Sequence, residues 1–363
     1  MVEVISVIPR RLDVINKFKA QGGYVAAVLP IHYPRALLRA FNVLPVEVWG
    51  PPRVDTSLGA THLQPYICSI VHNTLSFLQM GGLDITDVII IPHACDSLQG
   101  LGSVLLDFVP PDKPIVPIYL PRGRRESDIV FLTREFYNVY QRLEAITGRA
   151  PSDADLMKSI RREEGADEVL IKLHQSHSCL PLTDIAFYRL IRSREYLPAE
   201  TFIELAQAVL AKDIKKPRDG IPILLSGIVP EPMSLLEAIS EMGAMVVADD
   251  LACCGRRLYP PGRSGDPLRR MAERIIYAPP DPTRGNPIRE RREHLLRLIE
   301  TSGAKGVIFY DVKFCEPELF DLPTLRCELQ KAKVPSVTVE MDINDPLSHQ
   351  TLTRIEAFLE MIK

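Results

Sequence analysis

The sequence predicts an α/β fold with two parallel-sheet domains and a helical segment between them. Three observations carry that expectation. Short runs rich in Val and Ile recur in the first and last thirds of the 363-residue chain. Stretches of helical spacing separate these runs, and such alternation implies parallel strands joined by crossover helices. Between about Glu126 and Asp213 the strand signals vanish. The sheets are therefore expected to be open and Rossmann-like (flavodoxin-like), over residues 1–125 and 217–363, with 126–216 helical.

In the first region "GYVAAVLP" (23–30), "LPVEVWG" (44–50), "TDVIIIP" (86–92) and "KPIVPIYLP" (113–121) read as strands. "YPRALLRAF" and "CSIVHNTLSFLQM" read as helices, and a new apolar pattern begins after Asp96. The middle region holds four helical patterns, broken at Gly148 and Pro198, with Asp153 and Thr183 placed as N-caps. After the charged link "KDIKKPRDG" the alternation resumes. Strands are expected at "IPILLSG" (221–227), "AMVVADD" (244–250), "GVIFYDV" (306–312) and "PSVTVEM" (335–341). "PMSLLEAISEMG", "IRERREHLLRLIETSG" and "LPTLRCELQKAK" supply helices, while "RRLYPPGRSGDPLRR" and "YAPPDPTRGNP" read as long loops, which are often functional.

Composition excludes several classes of function. A formal net charge of −3 gives no electrostatic case for nucleic acid or an acidic membrane surface. No apolar run approaches the roughly 18 residues of a membrane span. The beginning "MVEVISVIPRRLDVINKF" has an acidic residue at position 3 and no small-residue cleavage site, so a cytoplasmic protein is expected. No G-x-x-x-x-G-K-[ST] occurs, and "GLG" at 100–102 lacks the third glycine of a dinucleotide fingerprint, so nucleotide binding would fall to a partner.

The seven cysteines are odd in number, scattered and free of any CxxC, which argues against a disulfide framework or a zinc ribbon. Cys95, Cys254 and Cys315 each follow a strand, at the edge where open parallel sheets bind ligands. Cys68 opens a helix, where unpaired N–H groups favour a thiolate. Cys327 shares the spacing of its helix's leucines and is expected in the core. Cys179 lies at a helix break near His174 and His177, which resemble half a metal site. For Cys68, Cys95 and Cys315 a shared metal role and inert burial both stand open. Three thiolates on an iron–sulfur cluster would leave one iron of four free for water or substrate.

Four further residues invite paired readings. Glu47 in "PVEVWG" is either a buried carboxylate of raised pKa that moves a proton, or an edge-strand glutamate reaching solvent. Asp249 and Asp250 could share a proton or bind a cation, or simply bond to loop amides. His93 could donate to a cluster sulfur, or be structural.

The segments around these cysteines resemble the 2-hydroxyacyl-CoA dehydratase and benzoyl-CoA reductase family of iron–sulfur subunits (the 2-hydroxyglutaryl-CoA dehydratase D-component family). "LPIHYPRALLRAFNVLPVEVWG" is similar to the family's opening, and "PYICSIVHNTLSFL" carries its first cysteine. "DVIIIPHACDSLQGL" carries the second. "ILLSGIVPEPMSLLEAISEMGAMVVADDLACCGRR" resembles the segment ending in an acidic pair and a Cys-Gly-x-Arg element. "GVIFYDVKFCEPELFDLPTLRCELQKAKVPSVTVEMD" carries the third cysteine, and "TLTRIEAFLEMI" matches the terminal helix.

The resemblance implies a [4Fe–4S] cluster held by Cys68, Cys95 and Cys315, a homologous iron–sulfur subunit as partner, and an ATP-hydrolysing iron–sulfur activator. The activator's low-potential electron would drive 2-hydroxyacyl-CoA dehydration through a ketyl radical, or partial reduction of a benzoyl-CoA-type ring. Arg35 and Ala36 stand where many relatives carry an acidic residue. The family does not make Cys254 a cluster ligand by default; it reads as packing or, with Asp249 and Asp250, as lying behind the cluster ligands. Arg256 and Arg257, with Arg263, Arg269, Arg270, Arg122, Arg124 and Arg125, would either bind coenzyme A phosphates or form a charged surface. Rival expectations are an electron-relay subunit, a double-cubane reductase that recruits Cys254 or Cys179, and a cluster-free scaffold.

Overall fold

β-branched runs form strands at all eight expected places. The computed structural model describes residues 8–212 and 218–363; most of the link "KDIKKPRDG" and the 216/217 boundary lie outside them. The first sheet contains β1 (Tyr24–Val28), β2 (Val43–Glu47), β3 (Val88–His93) and β4 (Ile115–Tyr119), in the order β2-β1-β3-β4. The second contains β5 (Ile221–Gly227), β6 (Ala244–Leu251), β7 (Gly306–Val312) and β8 (Ser336–Met341), in the order β6-β5-β7-β8. All neighbours are parallel. The same order recurs in both halves, so each sheet has its switch of winding direction at its first and third strands.

Helices supply the crossovers. In chain order they are α1 (Arg11–Ala20), α2 (Arg35–Ala40), α3 (Ser69–Gln79), α4 (Asp96–Asp107), α5 (Glu126–Thr147), α6 (Asp153–Gln175), α7 (Asp184–Ser193), α8 (Ala199–Leu210), α9 (Ser234–Glu241), α10 (Pro267–Ile276), α11 (Ile288–Ser302), α12 (Glu316–Lys331) and α13 (His349–Ile362). Thr183 caps α7 as expected, by accepting the Ala186 amide. At α6 the cap is Ser152 rather than Asp153, because the Ser152 and Asp155 side chains satisfy each other's backbone N–H groups. The expected loop "RRLYPPGRSGDPLRR" gives way to α10. Its Pro267 sits in the first turn, where a missing N–H costs nothing, and Asp266 caps it by accepting the Arg269 amide.

The central strands are buried on both faces: Val25 to Val28 and Val88 to Ile91 are fully inaccessible. On one face Val28, Val88 and Ile90 pack with Leu132 and Phe136 of α5 and Met271 of α10. On the other, Ala27, Ile89 and Ile91 belong to a cluster that also holds Leu170 of α6, Phe187 of α7, and Leu225, Ile308 and Tyr310 of the second sheet. One apolar core thus runs through both sheets by way of α6 and α7. A further cluster lies beneath α11 and α12, where Leu224, Val307 and Phe309 meet Leu295 and Leu329. Among the described residues no helix is long and apolar enough to cross a membrane.

Candidate functional site

Cys68, Cys95 and Cys315 occupy one kind of position: each is the N-cap of a helix, α3, α4 and α12 respectively. The first turn of a helix has N–H groups without intrahelical partners, so a sulfur placed there faces positive potential. The amides of Ile70 and Val71 favour the Cys68 thiolate, those of Ser97 and Leu98 the Cys95 thiolate, and that of Glu318 the Cys315 thiolate. At α12 the intervening residue is Pro317, which has no N–H to offer.

The three sulfurs also lie close enough to feel one another. Burial pushes the Cys95 thiol up to about 12, and a charge on Cys68 pushes it the same way. Burial raises Cys315 well above the usual thiol range, with Cys68, Glu318 and Cys95 adding to it. Burial likewise raises Cys68. Cys68 and Cys315 are buried, and Cys95 is partly exposed. Three such thiols resist ionisation alone, and a strongly cationic group would hold them as thiolates.

The chemistry of the donor set, three cysteine sulfurs each at a helix N-terminus, fits an iron–sulfur cluster, whose ligands are thiolates. A cluster takes each thiolate on a different iron, so neighbouring but separated sulfurs suit it.

Contacts across the chain hold this arrangement. Asn73 of α3 and Asn344 after β8 exchange side-chain amide hydrogen bonds, both 2.8 Å, which ties the Cys68 helix to the second sheet. Asn73 also donates to the Pro51 carbonyl at 2.9 Å. Gly50, at φ +65°, lets the backbone approach α3 so closely that a Cβ would lie 2.5 Å from the Ile70 carbonyl oxygen.

Several expected site residues serve other purposes. Glu47 is on an edge strand yet fully buried, and it does not have the raised pKa expected of a proton carrier. Burial pushes its carboxyl up, but Arg257, Arg35 and hydrogen bonds from Tyr33 (2.8 Å) and Trp49 (3.0 Å) outweigh burial and hold it below the usual range. Arg257 grips Glu47 through both guanidinium ends, with Nη1 at 2.7 Å. Arg256 is fully buried between Asp250 (3.0 Å) and Glu318. Both arginines are buried and paired with carboxylates in this structure.

Of the other arginines, Arg269 pairs with Glu126, Arg270 with Glu164, Arg124 with Glu290, Arg125 with Asp128 and Arg122 with Asp96. Asp249 accepts the Gly255 and Leu251 amides and the Tyr188 hydroxyl, and His174 lies 3.3 Å from it. Asp250 is held down to about 2; despite its burial, Arg256 and Arg291 favour its charge.

Cys254 packs in the core with its sulfur 3.3 Å from that of Cys253. His93 stacks edge-on against Tyr119 at 4.8 Å, and burial lowers its pKa, which favours the neutral ring. His174 and His177 face Asp249 and Asp184 instead of a common point. Cys327 is exposed, against expectation, because α12 buries the stripe of Glu318, Leu325 and Leu329 instead.

The expectations missed a buried ionic network beneath α11 and α12. Arg291 donates to Glu318 at 2.6 Å and to Asp321 at 3.1 Å, and joins Arg256 and Asp250. Its signal in the sequence is the Glu three residues after Cys315.

Comparison with known proteins shows the family. Residues 30–362 match the family described as 2-hydroxyglutaryl-CoA dehydratase, D-component. The chain is 27% identical to the (R)-phenyllactyl-CoA dehydratase beta subunit of Clostridium sporogenes, covering 96% of this chain and 94% of that protein. It is 26% identical to the beta subunit of (R)-2-hydroxyglutaryl-CoA dehydratase from Acidaminococcus fermentans, with 96% and 95% covered. Against a benzoyl-CoA reductase subunit of Thauera aromatica the figures are 25% identity, with 93% and 91% covered. With all three cysteines inside the matched span, the chain belongs to the 2-hydroxyglutaryl-CoA dehydratase D-component family and is an enzyme subunit.

Proposed function

We propose that this chain is the [4Fe–4S] subunit of a cytoplasmic, ATP-dependent enzyme that acts on acyl-CoA thioesters, by 2-hydroxyacyl dehydration or by aromatic ring reduction. The observation that carries the reading is the set of three neighbouring cysteines, each capping a helix. Cys68, Cys95 and Cys315 would hold the cluster, which would supply one-electron chemistry at low potential.

The chain's own residues set the conditions for that chemistry. Helix N-termini stabilise negative charge on the sulfurs. The apolar cluster that includes Cys68, Ala94, Val312, Cys315 and Ile343 limits water at the site. The Asn73–Asn344 pair keeps the Cys68 leg in register with the Cys315 leg. The partners in this reading are a homologous subunit and an ATP-hydrolysing iron–sulfur activator, in line with relatives that are themselves named as subunits of larger enzymes.

Anaerobic purification followed by iron analysis tests the reading. The expected result is a brown protein with about four irons per chain. Cys68→Ser, Cys95→Ser and Cys315→Ser should each lose iron, while Cys327→Ser should keep it. A colourless wild type, or full iron content in all four variants, would end the proposal. Turnover with aromatic or 2-hydroxyacyl-CoA thioesters, assayed with the co-purified partners, then separates reductase from dehydratase.

A further inference from the structure

The charges beneath α11 and α12 leave one carboxyl group without a partner. Asp250, Asp281, Asp311 and Glu318 are all buried, none more than 2% exposed. Asp250 and Glu318 share Arg256 and Arg291. Asp281 accepts the Thr283 amide at 2.8 Å and lies near Arg256. Asp311 has no such partner: its buried Oδ2 meets no hydrogen-bond donor among the described residues. A full charge there would be an unpaired buried carboxylate, which a protein interior strongly disfavours.

Asp311 stands near the carboxyl end of β7, shortly before Cys315. The charged groups that act on it are Glu340 from β8, Arg256 from beyond β6, Arg291 from α11 and Glu318 from α12; Asp250, His294 and Asp321 lie further along the same network, against Arg256 and Arg291. Burial and the charges of Glu318 and Glu340 outweigh Arg291 and Arg256, and push its carboxyl up to about 7. Glu318 acts in two directions, because its charge also raises the Cys315 thiol. The same carboxylate therefore bears on the unpaired acid and on one leg of the cysteine site.

We infer that Asp311 takes up one proton when the group held by Cys68, Cys95 and Cys315 takes up one electron. This rests on the proposed reading of those cysteines as cluster ligands. The electron comes from a low-potential one-electron donor and the proton from water. One O–H bond forms on the Asp311 carboxylate, and no bond of the chain breaks. Added negative charge nearby favours the neutral acid, and by reciprocity a neutral acid favours the added electron.

The test is a reductive titration of the anaerobic holoprotein with dithionite, followed by electron paramagnetic resonance at about pH 6 and about pH 8. In the wild type the reduction equilibrium should favour the reduced state several-fold more at the lower pH, never above about tenfold per pH unit. In Asp311→Asn, which keeps the shape and removes the titration, the change should fall below roughly twofold. Equal pH dependence in the two proteins overturns the inference. A second readout needs no variant: reduced-minus-oxidised infrared difference spectra of the wild type at about pH 8 should gain a protonated-carboxyl C=O band. Absence of that band also overturns it. An iron-free anaerobic preparation removes the cluster reading and this inference together, whereas an iron-bearing protein with a pH-independent equilibrium removes this inference alone.

Discussion

In both halves of the molecule the third strand of the sheet leads to a cysteine that caps the next helix: β3 leads to Cys95 and β7 to Cys315. The surroundings of the two differ. Beside Cys95 stand neutral His93, Ala94 and an Asp96 whose side chain is 74% exposed. Beside Cys315 stand buried Glu318 and, further back, Arg256, Arg291 and Asp311. Topology places the sulfur, because a parallel sheet delivers each strand's carboxyl end to a helix N-terminus. The side chains around it decide how much charge it meets, and how strongly water screens that charge. Cys68 has no counterpart in the second half, where α10 and α11 are capped by Asp266 and Pro287. Two of the three helix-capping cysteines thus come from the first half and one from the second.

The comparison can be broken at the buried charges first. Arg256→Ala should cost about 3–5 kcal/mol, because it leaves Asp250 and Glu318 short of a counter-charge in the core. Chemical denaturation measures it. A loss below about 1 kcal/mol would mean that the network is solvated and that the two cysteine environments are alike.

Asp311 should oppose stability as pH rises. Its carboxyl titrates near 7 in the folded chain against the ordinary 3.8, so the unfolded state releases the proton first. Stability should fall between about pH 4 and pH 7, by on the order of 4 kcal/mol, and level off above. Asp311→Asn should abolish that decline, giving a variant more stable than wild type at about pH 8 and equal near pH 4. Asp250 acts in the opposite sense: its lowered carboxyl supports the fold above its ordinary 3.8, and that support fades as pH falls toward about 2. Thermal melts across pH that show no difference between wild type and Asp311→Asn would contradict the unpaired-acid description.

The tie between the halves is a smaller effect. Asn73→Ala or Asn344→Ala should cost about 1–3 kcal/mol, since each leaves its partner's amide unsatisfied. In a double-mutant cycle the two losses should be strongly non-additive; additive losses would separate the residues. Least of all, Cys327→Ser should change stability by no more than about 0.5 kcal/mol, in contrast to the three helix-capping cysteines.

Much of the architecture was legible in the residues. Period and composition located every strand, since runs such as "DVIIIP" and "GVIFYDV" have few alternatives to a buried parallel strand. They also placed Cys95 and Cys315 after strands and Cys68 at a helix start. Three helices were harder to read. α10 begins with a proline that looks like a loop signal until its cap is seen, α4 gave only an apolar pattern, and α1 went unmarked. Cys327 is exposed because it lies off the stripe of Glu318, Leu325 and Leu329 that this helix buries.

By itself, the sequence determined the strands, their parallel pairing through crossover helices, the two cysteines that follow strands and the one that opens a helix. These follow from local side-chain shape and short-range periodicity. Only the tertiary structure decided which charges are spent. Glu47 and Arg257 are 210 residues apart, and Arg256 and Glu318 are 62 apart. Each side chain looks available until its partner arrives through space. An isolated carboxylate, an arginine beside a cysteine and an exposed surface charge are identical in sequence. Burial and pairing separate them, because Coulomb attraction and desolvation act across distances that the order of residues does not encode.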